Sequence, residues 1–172
     1  LKASQGLNIA LHYLSGAVTF DPAVTKMDAL SASKIVWLDA FLTNMDRTAR
    51  NTNMLIWHKE LWLIDHGACL YFHHNWDSNA TQMKSTFPLI KDHVLLKDAA
   101  LLKEADEHAR NILSDQIIAE IIEALPAEWL AYEETGGNAE ETRKVYRDFL
   151  TYRLSNSDLF VNQAINARAA II

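Results

Sequence analysis

Cysteine, glycine and proline are all scarce in this chain, and each scarcity excludes something. Cys69 is the only cysteine among 172 residues, so no internal disulfide can form and a reducing, cytoplasmic setting is the expectation. Its apolar neighbourhood reads as a packed thiol rather than a reactive one. Five glycines and three prolines leave little material for the tight turns of an all-β fold and favour helices. No apolar run approaches the ~18 residues of a membrane span, and no secretory leader is visible. Lys and Arg are outnumbered by Asp and Glu, giving a formal charge of −6. That balance argues against direct nucleic-acid binding, which draws on clustered basic side chains.

What is present suits one globular domain spanning residues 1–172, at 49% hydrophobic and 22% charged residues. A chain of this length can bury about 70% of its unfolded surface, enough for its own core. Leu7, Ile9, Leu11 and Tyr13 alternate with polar or small residues, which predicts a half-buried strand over Leu7–Leu14. Asp28 or Ser31 can cap a helix carrying Ile35, Leu38, Leu42 and Met45 at helical spacing. Asn53–His58 and Leu61–Asp65 read as a hairpin closed by Lys59–Glu60. Trp57 and Trp62 are expected to pack across it. Tyr71–Thr86 is polar, aromatic and aperiodic, as a long surface loop would be.

The second half is helical. Leu101, Leu102 and Ala105 start one amphipathic pattern. Ile117, Ile118, Ile121, Ile122 and Leu125 make another between Ser114 and Pro126. Gly136–Gly137 interrupts the chain, and helices follow around Val145–Leu150 and Leu159–Ala170. The predicted fold is mainly α with one small β-hairpin.

Chemistry concentrates in Asn44–Gly67, NMDRTARNTNMLIWHKELWLIDHG. Phosphoryl transfer needs cations to bridge the phosphates and a carboxylate to take the attacking hydroxyl's proton. Mg²⁺ prefers hard oxygen ligands, usually one or two from protein and the rest from phosphate and water. Asp46, Asn51 and Asp65 are of those types, and the hairpin between them should fold Asp65 back beside the others. Gly67 is expected to let the backbone turn away. Protein kinases place a base Asp five residues before a metal-binding Asn, with a metal-binding Asp-x-Gly further on. The interval from Asp46 to Asn51 is the same, and Asp65-His66-Gly67 ends the hairpin.

NMDRTARN followed by LWLIDHG resembles the catalytic segment of the HipA-like kinases and, more distantly, of the phosphoinositide lipid kinases. VWLDAFLTN and GACLYFHHNW resemble the same family, a branch described mainly from bacterial genomes. The resemblance runs from about Gly6 through Trp129. It implies the large C-terminal lobe of a protein-kinase-like fold, and transfer from ATP with Mg²⁺ to a hydroxyl, Ser or Thr of a protein. Carried over, Asp46 is the proton acceptor, and Asn51 and Asp65 are the metal ligands. Arg47, following the base, is expected to be structural or to touch the phosphates. Arg47, His66, Asn51 and Asp65 are thus the candidate nucleotide-binding residues. His66 stands where protein kinases have Phe, and a packed imidazole is its other reading.

The same resemblance exposes missing parts. No glycine-rich turn or strand lysine precedes the hairpin, so residues 1–18 are expected to be the hinge or last strand of a small N-terminal lobe, itself absent. On that expectation the chain is a fragment, inactive alone, whose ATP grip is completed by the missing lobe. An antitoxin-like partner is a further implication. A non-catalytic, pseudokinase-like binding domain and a lipid or small-molecule kinase are the alternative functions. His73, His74 and Asp77 lack the helical spacing of a zinc pair and read as structural or solvent-facing. Ser78, Thr81, Ser85 and Thr86 read as ordinary loop polarity, and Asp39 as a structural partner for Arg47.

Overall fold

The computed structural model describes residues 6–131 and 137–172. Among them are six helices and a three-stranded antiparallel sheet. None of these helices is long and apolar enough to cross a membrane.

Asp28 opens α1 (Ala29–Phe41), its carboxylate accepting from the Ser31 amide at 2.9 Å. The helix buries Ala32, Ile35, Val36, Trp37, Ala40 and Phe41, and packs on α3 (Leu102–Ile112) and α6 (Asp158–Ala169). Trp37 stacks on Phe41 at 5.0 Å and meets the edge of Phe160 at 5.6 Å, which gives this contact a rigid aromatic centre. Ser114 caps α4 (Asp115–Glu123) by accepting from the Ile117 amide, and α4 lies against α5 (Ala139–Ser155). Of the expected glycine break, Gly137 has a positive φ of 69°, and Gly136 lies outside the described residues.

The sheet departs from the sequence reading in two ways. It has a third strand, β1 (Val18–Thr19), paired with β2 (Met54–Trp57), which pairs in turn with β3 (Glu60–Leu63). The hairpin also turns one residue earlier than Lys59–Glu60. Trp57 pairs with Glu60, leaving His58 and Lys59 as the loop with φ of 50° and 69°. Two positive φ values give the primed turn whose twist matches the strands, although neither residue is the usual Asn or Gly. Trp57 and Trp62 meet edge to face at 5.6 Å, as diagonal neighbours on one face.

Leu7–Leu14 is not a strand. Leu7, Ile9, Leu11 and Tyr13 are 56–85% exposed, and residues 7–14 pair with no strand among the described residues. Alternation predicts a strand only where a neighbouring strand supplies hydrogen bonds and a face to cover. Tyr71–Thr86 lies largely at the surface as expected, but it is not an irregular loop. It winds through two 3-10 turns (Tyr71–His74 and Trp76–Ser78) into the short helix α2 (Asn79–Gln82). Phe72 is fully buried, 4.8 Å from the Phe149 ring, and Trp76 is buried beside it. Three-residue turns carry no 3.6-residue pattern, so an inserted aromatic core is invisible to periodicity.

Arg153 of α5 anchors this segment. Its buried guanidinium donates to the carbonyls of Ala40 and Phe41, at the open end of α1, and to those of Met83 and Ser85. It also lies 4.7 Å over the Phe160 ring. Terminal helix carbonyls need donors, and a cation suits the negative end of the dipole.

Candidate active site

The site begins where α1 ends. Asp39, in the last turn of α1, accepts through its backbone carbonyl from the Asn44 amide at 2.8 Å. Its carboxylate is fully buried and takes Arg47 Nε at 2.5 Å, His93 Nε2 at 2.9 Å and Asn44 Nδ2 at 2.8 Å. Burial alone would push this carboxyl up. Hydrogen bonds and charge from His93 and Arg47 outweigh it and hold Asp39 below the usual carboxylate range.

Arg47 spans from this anchor to the hairpin. Besides Asp39 it donates to the Asn53 carbonyl and lies 3.2 Å from His66 Nε2. Its side chain is 0% exposed, so it is an internal strut. Of the two expectations for Arg47, structural or phosphate-touching, this geometry describes the first: its donors face Asp39, the Thr52 and Asn53 carbonyls and His66. His66 is held by the same guanidinium. Burial, then the Arg47 charge, push its pKa down, which favours a neutral ring accepting from Arg47.

The interval between Asp46 and Asn51 has a local explanation. Thr48 and Asn51 exchange backbone hydrogen bonds of 2.9 and 3.2 Å around Ala49–Arg50. This tight reversal returns the chain so that Asn51 Nδ2 donates to Asp46 Oδ2 at 2.8 Å. An insertion or deletion here would move Asn51 off the carboxylate. The reversal is secured from outside by a bridge between Thr48 and His93 and by the Val94 amide donating to the Arg47 carbonyl at 3.1 Å.

Asp65 joins this pair indirectly. Asn53 Nδ2 reaches Asp46 Oδ2 at 3.3 Å and the Asp65 backbone carbonyl at 3.4 Å. The Asp65 carboxylate itself accepts from the Gly67 amide at 3.4 Å, with no hydrogen bond to Asp46 or Asn51. The sharp turn expected at Gly67 falls two residues earlier, where Asp65 has φ of 50°. Gly67 serves space instead, since a Cβ there would come within 3.3 Å of Asp65 Oδ1.

A cleft of about 580 Å³ opens beside these residues, lined in part by Thr19, Phe20, Arg50, Asn51, Asn53 and Ile64. Its size suits a nucleotide-scale ligand. Asp46 and Asp65 do not line it. Among the described residues no three His, Cys, Asp or Glu side chains are placed to share a metal ion. A Mg²⁺ carried by phosphates needs fewer protein ligands, and the available donors are the hard oxygens such an ion prefers. His73 accepts or donates at 2.7 Å to the Tyr146 hydroxyl, a structural contact; the side chain of His74 lies outside the described residues.

Three residues escaped the sequence reading. His93 sits between Lys91–Asp92 and Val94–Leu96, and nothing local marks it as the Asp39 partner. Arg153 stands in an amphipathic helix where nothing local marks it as buried. Asn53 was read only as the first residue of a strand, although its φ of 47° is the left-handed conformation that Asn tolerates best after Gly.

A family model described as HipA-like kinase matches residues 5–161, and the chain belongs to that family. No match was found among curated proteins, and none among solved structures. Membership points to a kinase-type phosphotransferase.

Proposed function

We propose that the protein transfers the γ-phosphoryl group of Mg²⁺-bound ATP to a hydroxyl, Ser or Thr of a protein substrate. In this reading the chain is the large lobe of a kinase-like fold, and the cleft between β1 and the Ala49–Asn53 segment receives the nucleotide. The observation that carries it is the 2.8 Å contact between Asp46 and Asn51. Asn51 uses its NH₂ group on the carboxylate, which leaves its Oδ1, a hard oxygen, for a cation. Asp65 supplies the second protein ligand from the end of the hairpin.

The chemistry then divides among the chain's own groups. Asp46 takes the proton of the acceptor hydroxyl as its oxygen bonds to the γ-phosphorus. The bond from that phosphorus to the β–γ bridging oxygen breaks, and ADP leaves with the electron pair. Asn51 and Asp65 would hold Mg²⁺, which would supply charge neutralisation along the phosphates, and the amide of Asn51 holds Asp46 in place.

The test uses the full-length protein, ATP labelled at the γ-phosphate, and Mg²⁺. Asp46→Asn and Asp65→Asn should each abolish transfer while leaving thermal unfolding unchanged. Transfer retained by Asp65→Asn would overturn the proposal.

A further inference from the structure

We infer that Asn53 is a positioning residue, clamping the proton-accepting Asp46 to the segment that carries Asp65. This inference rests on the phosphotransferase reading of Asp46 and Asp65.

The side chain of Asn53 touches both segments. Its Nδ2 faces Asp46 Oδ2 at 3.3 Å and the Asp65 carbonyl at 3.4 Å. Both partners are acceptors, so the amide nitrogen must face them, and an amide has two hydrogens to give. The backbone is fixed as firmly. The Asn53 carbonyl accepts from Arg47 and, at 2.9 Å, from the Ile64 amide next to Asp65. Asn53 is only 8% exposed, so it presents little surface to a ligand in the cleft.

The residue type follows from two separate demands. A φ of 47° suits Gly or Asn and disfavours branched side chains. Gly would meet that demand and leave Asp46 with Asn51 alone; Asp would place a second carboxylate against the first. Only Asn satisfies the backbone while donating twice. Asn51 and Asn53 thus converge on one carboxylate oxygen, the first from the short reversal and the second from the hairpin base. Two donors fix the carboxylate in direction, where one would let it swing.

Side chain and backbone can be separated with two variants of the full-length protein. Asn53→Gly removes the amide without backbone strain, and Asn53→Ala removes it with strain. Transfer from Mg²⁺-ATP is measured as kcat and as KM for ATP, beside thermal unfolding. Both variants should lose kcat by a similar factor, on the order of 10–100-fold, as expected for a loosened reacting group. KM for ATP should stay within about twofold, since the clamp acts after binding. Asn53→Gly should unfold only slightly earlier than the parent, and Asn53→Ala earlier still. A merely structural role would tie the loss of rate to the loss of stability and spare Asn53→Gly. Wild-type kcat in Asn53→Gly, or a kcat loss confined to Asn53→Ala, overturns the inference. Asp65→Asn separates it from the reading beneath: transfer surviving that change removes the phosphotransferase assignment, whereas its abolition beside an unaffected Asn53→Gly removes only the clamp.

Discussion

Asp39→Asn is the perturbation that tests the architecture most directly. The variant keeps the shape of the side chain and removes its charge. In the parent this carboxylate is 0% exposed and accepts from Arg47, His93 and Asn44 within 2.9 Å. Arg47, equally buried, would retain its charge with only neutral acceptors around it. Removing one member of a buried pair costs roughly 3–5 kcal/mol, because the survivor remains desolvated. For a chain of this size that corresponds to about 6–20 °C in Tm. Urea and thermal unfolding, followed by the fluorescence of the five tryptophans, measure it directly. The double variant Asp39→Asn, Arg47→Met should be less destabilised than the two single changes added together, since each single change strands the other's partner. The pH dependence has a definite sign. Asp39 is held below its ordinary 3.8, so its stabilising share is complete above about pH 4 and lost as pH falls through the folded value. A loss below about 1 kcal/mol in Asp39→Asn would refute the strut, since surface pairs cost no more than that.

Two further outcomes follow from the same geometry. His66 is held below its ordinary 6.5 by burial and by Arg47, so the unfolded chain binds its proton first. Stability should therefore decline as pH falls from about 6.5 through the folded value. His66→Gln should flatten that decline in urea midpoints taken between about pH 7 and 5; an unchanged slope refutes it. Arg153→Lys keeps a charge but replaces a planar fork by a point donor facing four carbonyls. Loss of one or two charge-assisted bonds predicts a cost of roughly 2–4 kcal/mol in urea unfolding, with faster proteolysis around Met83–Ser85. Parent-like stability would show that the four bonds are dispensable.

The legible parts of the sequence were those governed by local rules. Asp28 and Ser114 announced helix starts because a short oxygen-bearing side chain can reach an amide three residues on. The hairpin was legible, yet its turn was misplaced by one residue, because the loop at His58–Lys59 carries none of the usual turn residues. The five-residue interval led to Asp46 and Asn51, and their contact is itself local, made by one short reversal. Illegible were contacts spanning the chain. His93 lies 54 positions from Asp39, and Arg153 lies 112 and 113 positions from the carbonyls of Phe41 and Ala40. No pattern within a helix or loop encodes those pairs. The Leu7–Leu14 alternation failed for the complementary reason, since a strand is defined by a neighbour that local sequence cannot supply.

On the proposed function, the arrangement separates holding from reacting. The tight, buried contacts of Asp39, Arg47 and His93 sit behind the loop, where desolvation makes each charge costly to strand. Asp46 and Asn51, in front of it, are more exposed, and their contact is an ordinary hydrogen bond between groups that water can also serve. Removing a partner there leaves little buried and unsatisfied, so folding should tolerate it. Asp46→Asn and Asp39→Asn make the same chemical change seven positions apart in one short stretch. The first should silence transfer with unfolding unmoved, and the second should lower both. Equal destabilisation by the two would mean that the loop is stabilised at its front, and that the buried strut does not set the position of the Asp46 carboxylate.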